Sequence, residues 1–184
     1  MKNKVLIVVD MQNDFVTGPL GSDAAQAIFP AVREKIIKAV ANDDKIIFTR
    51  DTHAEDYLET QEGKKLPVTH CLEGTDGWQI VEELESIACH RELIINKPTF
   101  GSNEIVRILK IEEHSGNPGI LTEIELCGLC TDICVVTNAL ILKTAFPEAK
   151  ITVDAKATAG VTPESTKAAL LTMKMCQIEV LNCD

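Results

Sequence analysis

Residues 5–9, VLIVV, form an unbroken apolar run that Asp10 closes. A strand with one buried face alternates apolar and polar side chains. A run apolar at consecutive positions therefore marks a strand covered on both faces, the usual condition of a parallel sheet. Similar short runs occur at 45–49 (KIIFT), 93–96 (LIIN), 122–127 (TEIELC), 150–153 (KITV) and 178–181 (IEVL). Stretches with helical spacing lie between them: 30–42, with Pro30 in the first turn, 76–88 after Asp76, 102–113 after Gly101, 131–145 and 163–176. This alternation predicts an α/β fold, a mostly parallel sheet with helices on both faces. Residues 50–75 break the pattern, carry no clear period and exceed an ordinary connection, which is the habit of functional loops.

The chain has 184 residues, read as a single domain over 1–184, with 45% apolar and 25% charged residues, near the globular average. A formal charge of -10 repels phosphate backbones and anionic headgroups, so neither nucleic acid nor a membrane surface is an expected partner. The first apolar run is too short for a signal-peptide core, and no run approaches the length of a membrane span. Seven cysteines without an even framework point to a reducing, cytoplasmic setting.

In open parallel sheets, ligands bind beyond the carboxyl ends of the strands. The first strand delivers Asp10 there, the second Arg50, Asp51 and His53, the third Lys97, and the fourth leads through Gly128 to Cys130 and Cys134. Thr131 is placed to cap the following helix, which sets Cys134 in its first turn, where helix-start amides and a nearby ammonium favour the thiolate. Lys97 supplies the ammonium and Asp10 a carboxylate able to take the thiol proton. The N–H groups of Cys130 and Cys134 are candidates to hold the oxygen of a tetrahedral adduct. Acyl transfer by a cysteine is the implied chemistry. Cys71, Cys89, Cys176 and Cys183 read instead as packing or surface residues.

Asp51, His53 and His70 form a mixed oxygen and nitrogen set suited to zinc, manganese or iron, with Glu62, Asp56, Glu59 and Glu55 as candidate further ligands. His90 and His114 lie in unremarkable polar contexts. A rival reading takes CGLC at 127–130 as a thiol–disulfide exchange pair, Cys127 with Cys130, which leaves Asp10, Lys97 and the histidines without a role.

VDMQNDF at 9–15, TRDTH at 49–53, HCLEGTDGW at 70–78, NKPTFGS at 96–102 and CGLCTDICV at 127–135 together resemble the isochorismatase-like cysteine hydrolases, in particular the nicotinamidase/pyrazinamidase branch. The resemblance implies a three-layer α/β/α domain with a six-stranded parallel sheet and a triad of Asp10, Lys97 and Cys134. It implies thiolate attack on a small amide, loss of ammonia and hydrolysis of a thioester, with nicotinamide or a close relative as substrate. It also implies a cis peptide between Leu129 and Cys130, oxyanion donors at Cys130 and Cys134, and pocket walls from Phe15, Leu129 and Phe100. A divalent metal, zinc before manganese or iron, would sit on Asp51, His53 and His70, with Glu62 as the additional ligand, and a homo-oligomer is expected. Where the branch commonly carries an aromatic residue, this chain has Pro67, which points to a non-aromatic amide or carbamoyl compound as the alternative substrate. Isochorismatases proper lack the nucleophilic cysteine, so Cys134 argues against ether cleavage.

Overall fold

A computed structural model describes residues 4–88, 92–114 and 121–183; Cys89 and His90 lie outside them, as does the side chain of His114. The described residues build one sheet from β1 (Lys4–Val9), β2 (Lys45–Asp51), β3 (Glu92–Lys97), β4 (Glu123–Leu129), β5 (Lys150–Ala159) and β6 (Glu179–Leu181). The spatial order is β3-β2-β1-β4-β5-β6, and every neighbouring pair is parallel. From the central β1 the chain steps outward to β2 and β3, then returns to β4 on the other side. The loops after β1 and β4 therefore diverge and leave a crevice between them, the place where such sheets bind ligands.

The consecutive apolar residues of β1 divide between two cores. Val5, Ile7 and Val9 face one layer with Ile105 and Leu109 of α6 (Asn103–His114), Ala139 and Leu142 of α7 (Val136–Ala145), and Leu170 and Met173 of α8 (Pro163–Met175). Leu6 and Val8 face the other, with Val32, Ile36 and Ala39 of α3 (Phe29–Asn42) and Leu84 of α5 (Glu82–Ala88). The shorter helices α1 (Asn13–Val16), α2 (Asp23–Ala27) and α4 (Gln61–Lys65) serve the loops above the sheet. Each fully buried Val, Leu or Ile contributes roughly 1.5–3 kcal/mol, which is why the two-sided run specifies the sheet centre so strongly.

Several boundaries differ from the sequence expectation. Residues 76–81 are not helical, because their backbone groups serve the loop after β1: Asn13 N–H donates to Gln79 O and Asp14 N–H to Gly77 O, while Gln12 and Ile80 form an antiparallel bridge. The stretch 131–145 is a π turn over Thr131–Val135 that runs into α7. Strand β5 continues to Ala159, past Asp154 and Lys156, since Asp154 is neutralised by Lys35 of α3 at 2.7 Å. At Gly128 a side chain is excluded: φ is +107°, and a Cβ would stand 2.1 Å from the Val9 carbonyl oxygen. Among the described residues no helix is long and apolar enough to cross a membrane.

Candidate active site

Asp10 follows the last residue of β1, Asp51 and Lys97 end β2 and β3 as register partners, and Cys134 stands in the turn after β4. Lys97 reaches across this row, and its exposure is only 1%. Its Nζ lies 2.7 Å from Asp10 Oδ2, 3.2 Å from Asp51 Oδ1 and 3.4 Å from Cys134 Sγ. Asp10 itself is fully buried and sits at φ 46°, a left-handed conformation that aspartate tolerates better than most residues. The Thr49 hydroxyl donates to Asp10 Oδ1 at 2.6 Å and accepts from the Asp10 N–H at 3.2 Å. Asp10 Oδ2 has the ion pair but no aligned hydrogen-bond donor, so a lone pair remains for the thiol proton.

The charges settle as follows. Burial works against the Lys97 ammonium, but Asp10, Cys134 and Asp51 hold its pKa above the usual lysine range. Burial likewise opposes the Asp51 carboxylate, yet hydrogen bonds from His53 and His70 and the charge of Lys97 keep its pKa well below the usual carboxylate range. Asp10 is pushed up by burial and by Asp51, against the pull of Lys97. Cys134 is pushed well up by burial and by Asp10, with Lys97 opposing. Burial and the two carboxylates thus oppose the thiolate, while the helix start and Lys97 favour it. The upward push on Asp10 suits its carboxylate to receive a thiol proton.

The turn carrying Cys134 also differs from expectation. Its N-cap is Cys130, with no side-chain cap; Thr131 is buried and its hydroxyl meets that of Thr158 at 2.8 Å. The Leu129–Cys130 peptide is cis. The Cys130 carbonyl accepts from Ile133 and Val135 N–H, and the earlier N–H groups of the turn belong to the set that a helix start leaves without intrahelical partners. Asn138, one turn on, donates to the Cys134 carbonyl at 2.8 Å and accepts from Ser102 N–H at 2.9 Å, tying the turn to the loop after Lys97.

Asp51 also faces a second cluster. Ligand atoms of Asp51, His53, Glu62 and His70 all lie within 4.8 Å of one another. His53 Nε2 is 3.0 Å from Asp51 Oδ2 and 3.8 Å from Glu62 Oε1, and His70 Nε2 is 3.6 Å from Asp51 Oδ2. Ligands about 2.1 Å from a tetrahedral ion stand about 3.4 Å apart, so two imidazoles and two carboxylates at these spacings fit a divalent metal. His70 Nδ1 is 2.8 Å from the Val68 carbonyl, the outer-shell bond that leaves Nε2 its lone pair. Burial lowers the His70 pKa, but Asp51 and Val68 raise it overall, so metal binding there would displace a proton. Asp56, Glu59 and Glu55 stay exposed and outside the cluster.

Residues 4–184 match the family described as the isochorismatase domain. The chain belongs to the isochorismatase family. A nicotinamidase/pyrazinamidase of Mycobacterium tuberculosis (strain ATCC 25618 / H37Rv) is 26% identical, over 97% of this chain and 98% of that protein. A nicotinamidase of Schizosaccharomyces pombe (strain 972 / ATCC 24843) is 27% identical, over 96% and 92%. The crystal structure of a Pyrococcus horikoshii pyrazinamidase in complex with zinc superimposes with a TM-score of 0.82 and 28% identity, over 98% of this chain and 99% of that one. The six-stranded parallel sheet is thus the fold of this family, as the sequence resemblance implied.

Within this isochorismatase-family frame, a cavity of about 580 Å³ opens above the strand ends, with Asp51, His70 and Cys134 at its buried floor. Phe15, Leu129, Phe100 and Cys130 line it, and the Phe15 ring centroid is 5.5 Å from that of His70. Leu66 also lines it. Cys127 is fully buried in the opposite core, and burial drives its thiol far up and that of Cys130 to about 12. Cys127, with no exposed surface, is closed to a disulfide partner from solvent.

Sequence reasoning missed the supports. The Gln12 side chain donates to Asp51 O and Trp78 O at 2.9 and 2.8 Å and accepts from Asp51 N–H at 2.7 Å, which fixes the backbone of the aspartate shared by both clusters. Asp14 Oδ2 accepts from Cys71 N–H at 2.7 Å, beside His70. These residues stand in VDMQNDF, but their partners are 39 and 57 positions away, so only the fold reveals the bonds.

Proposed function

We propose that the chain is a metal-containing cysteine amidohydrolase that converts nicotinamide, or a closely related small amide, to the carboxylic acid and ammonia. The observation that carries this reading is the reach of Lys97 Nζ to both Asp10 Oδ2 and Cys134 Sγ, which joins base, charge and nucleophile in one dry site. Asp10 Oδ2 takes the thiol proton as Sγ bonds to the carbonyl carbon, and the N–H groups of Cys130 and Cys134 receive the oxyanion. Asp10 then passes the proton to the amide nitrogen, the C–N bond breaks and ammonia leaves. Water gives a proton to Asp10 while its oxygen attacks the thioester; the C–S bond breaks, and Asp10 returns the proton to sulfur. Lys97 keeps its charge throughout and holds Asp10 beside the thiol.

Asp51, His53, His70 and Glu62 are the residues that would hold a divalent ion, and the zinc in the Pyrococcus relative supports zinc as its identity. Such an ion supplies a Lewis-acid anchor that orients the substrate. The unpaired state of the described cysteines supports a reducing, cytoplasmic setting, and a homo-oligomer remains the expected assembly. Pro67, where a ring is expected, favours a second reading, a non-aromatic amide or carbamoyl compound.

The test is ammonia release by purified, zinc-loaded protein over a panel of amides, ranked by kcat/KM. Nicotinamide turnover that vanishes in Cys134→Ala, with the fold and bound zinc retained, is the expected result. Turnover surviving in Cys134→Ala overturns the nucleophile assignment.

A further inference from the structure

The cavity is larger than a one-ring amide requires. Even at the roughly 30 Å³ that a liquid water occupies, an amide of about nine non-hydrogen atoms fills about 270 Å³, under half of the space. The observed volume is about 580 Å³. Exposed Val161, Leu66 and Phe100 give the cavity an apolar wall. Lys65, exposed in the last turn of α4, lines the same cavity and is the one ammonium among the described lining residues. No ion pair within 4 Å engages it among the described residues, although Glu62 lies three positions earlier in the same helix and also lines the cavity. Glu62 is turned instead toward His53. The lining carboxylates Asp51 and Glu62 belong to the metal-type cluster, so they do not neutralise the mouth.

Resting on the amidohydrolase reading, we propose that the outer half of the cavity is a second subsite, and that Lys65 selects amides whose acyl part is elongated, apolar along its length and anionic at its far end. The carboxamide would occupy the floor at Cys134, the stem the wall of Leu66, Phe100 and Val161, and the terminal carboxylate the Lys65 ammonium. An apolar stem gains from leaving water, and a charge-assisted hydrogen bond is stronger than a neutral one.

The test compares monoamides of dicarboxylic acids, over increasing chain length, with neutral alkanamides of the same length on the zinc-loaded enzyme. The expected result is a kcat/KM for the best anionic amide about tenfold above its neutral counterpart. Lys65→Met brings that ratio to about one and Lys65→Arg restores it, and rising salt erodes it. A ratio near one in the unmodified enzyme, or one that survives Lys65→Met, overturns the proposal. A second measurement separates this from failure of the amidase reading. Calorimetry on Cys134→Ala protein compares binding of diacids with monoacids, and only a preference for diacids that is lost on Lys65→Met supports the subsite. Protein that hydrolyses no amide removes the amidase reading, while the binding comparison still decides Lys65.

Discussion

Replacing Lys97 by Met keeps the length of the side chain and removes its charge from between Asp10 and Asp51, which lie 2.7 and 3.2 Å from its Nζ. Both carboxylates then remain buried without their common partner. Breaking a buried pair in this way costs about 3–5 kcal/mol. With a urea m-value of about 2 kcal/mol/M, the unfolding midpoint should fall by about 2 M. The loss should also depend on pH. Lys97 is what restrains the upward push that burial and Asp51 exert on Asp10, so in Lys97→Met the folded-state pKa of Asp10 rises further above its unfolded value. A carboxyl raised in the folded state costs stability only where it is ionised, so the gap to the unmodified protein is full above that folded pKa and narrows as pH falls through it. Urea denaturation across a pH series, read by far-UV circular dichroism, measures both effects. A midpoint unchanged at neutral pH, or a gap that stays constant as pH falls, would refute the account of Lys97 as the counter-charge of the site.

Gln12→Leu removes the side-chain bonds to the Asp51 backbone, and zinc affinity measured by competition with a chromogenic chelator should drop by about 10–100-fold. Lys35→Met should cost about 3 kcal/mol, because Lys35 Nζ stands 2.6 Å from Glu125 Oε1 and 2.7 Å from Asp154 Oδ2. Despite burial, Lys35 and Lys4 hold the Glu125 pKa down, and Lys35 and Asn182 hold Asp154 down. That stabilisation is full above the unfolded carboxylate value of about 4 and is lost as pH falls through the folded values, so the deficit should close under acid in a thermal scan. Gly128→Ala places a Cβ against the Val9 carbonyl at a positive φ, and soluble yield and urea midpoint should both fall, the latter by an amount equivalent to at least about 3 kcal/mol; native stability would refute the stated need for glycine there.

The order of strands and helices, the acid after β1, the lysine ending β3 and the cysteine after β4 were all legible in the chain, because each depends on local apolar period or on a short motif. The first part of the helix drawn over 76–88 was not, since the Gly77 and Gln79 carbonyls accept from the N–H groups of Asp14 and Asn13, far away in sequence. The same holds for Gln12, whose polar side chain looks like surface until Asp51 and Trp78 are seen around it.

What the linear order of residues determined was which chemical groups arrive at the carboxyl edge of the sheet, for strand period and motif spacing are short-range properties. What the tertiary structure alone decided was the state of those groups. The proton affinity of Cys134 is a sum over burial, two carboxylates and one ammonium brought in from three other strands. Long-range electrostatics has no local signature: burial and Asp10 push the Cys134 thiol up against the pull of Lys97, and none of these partners is near it in sequence.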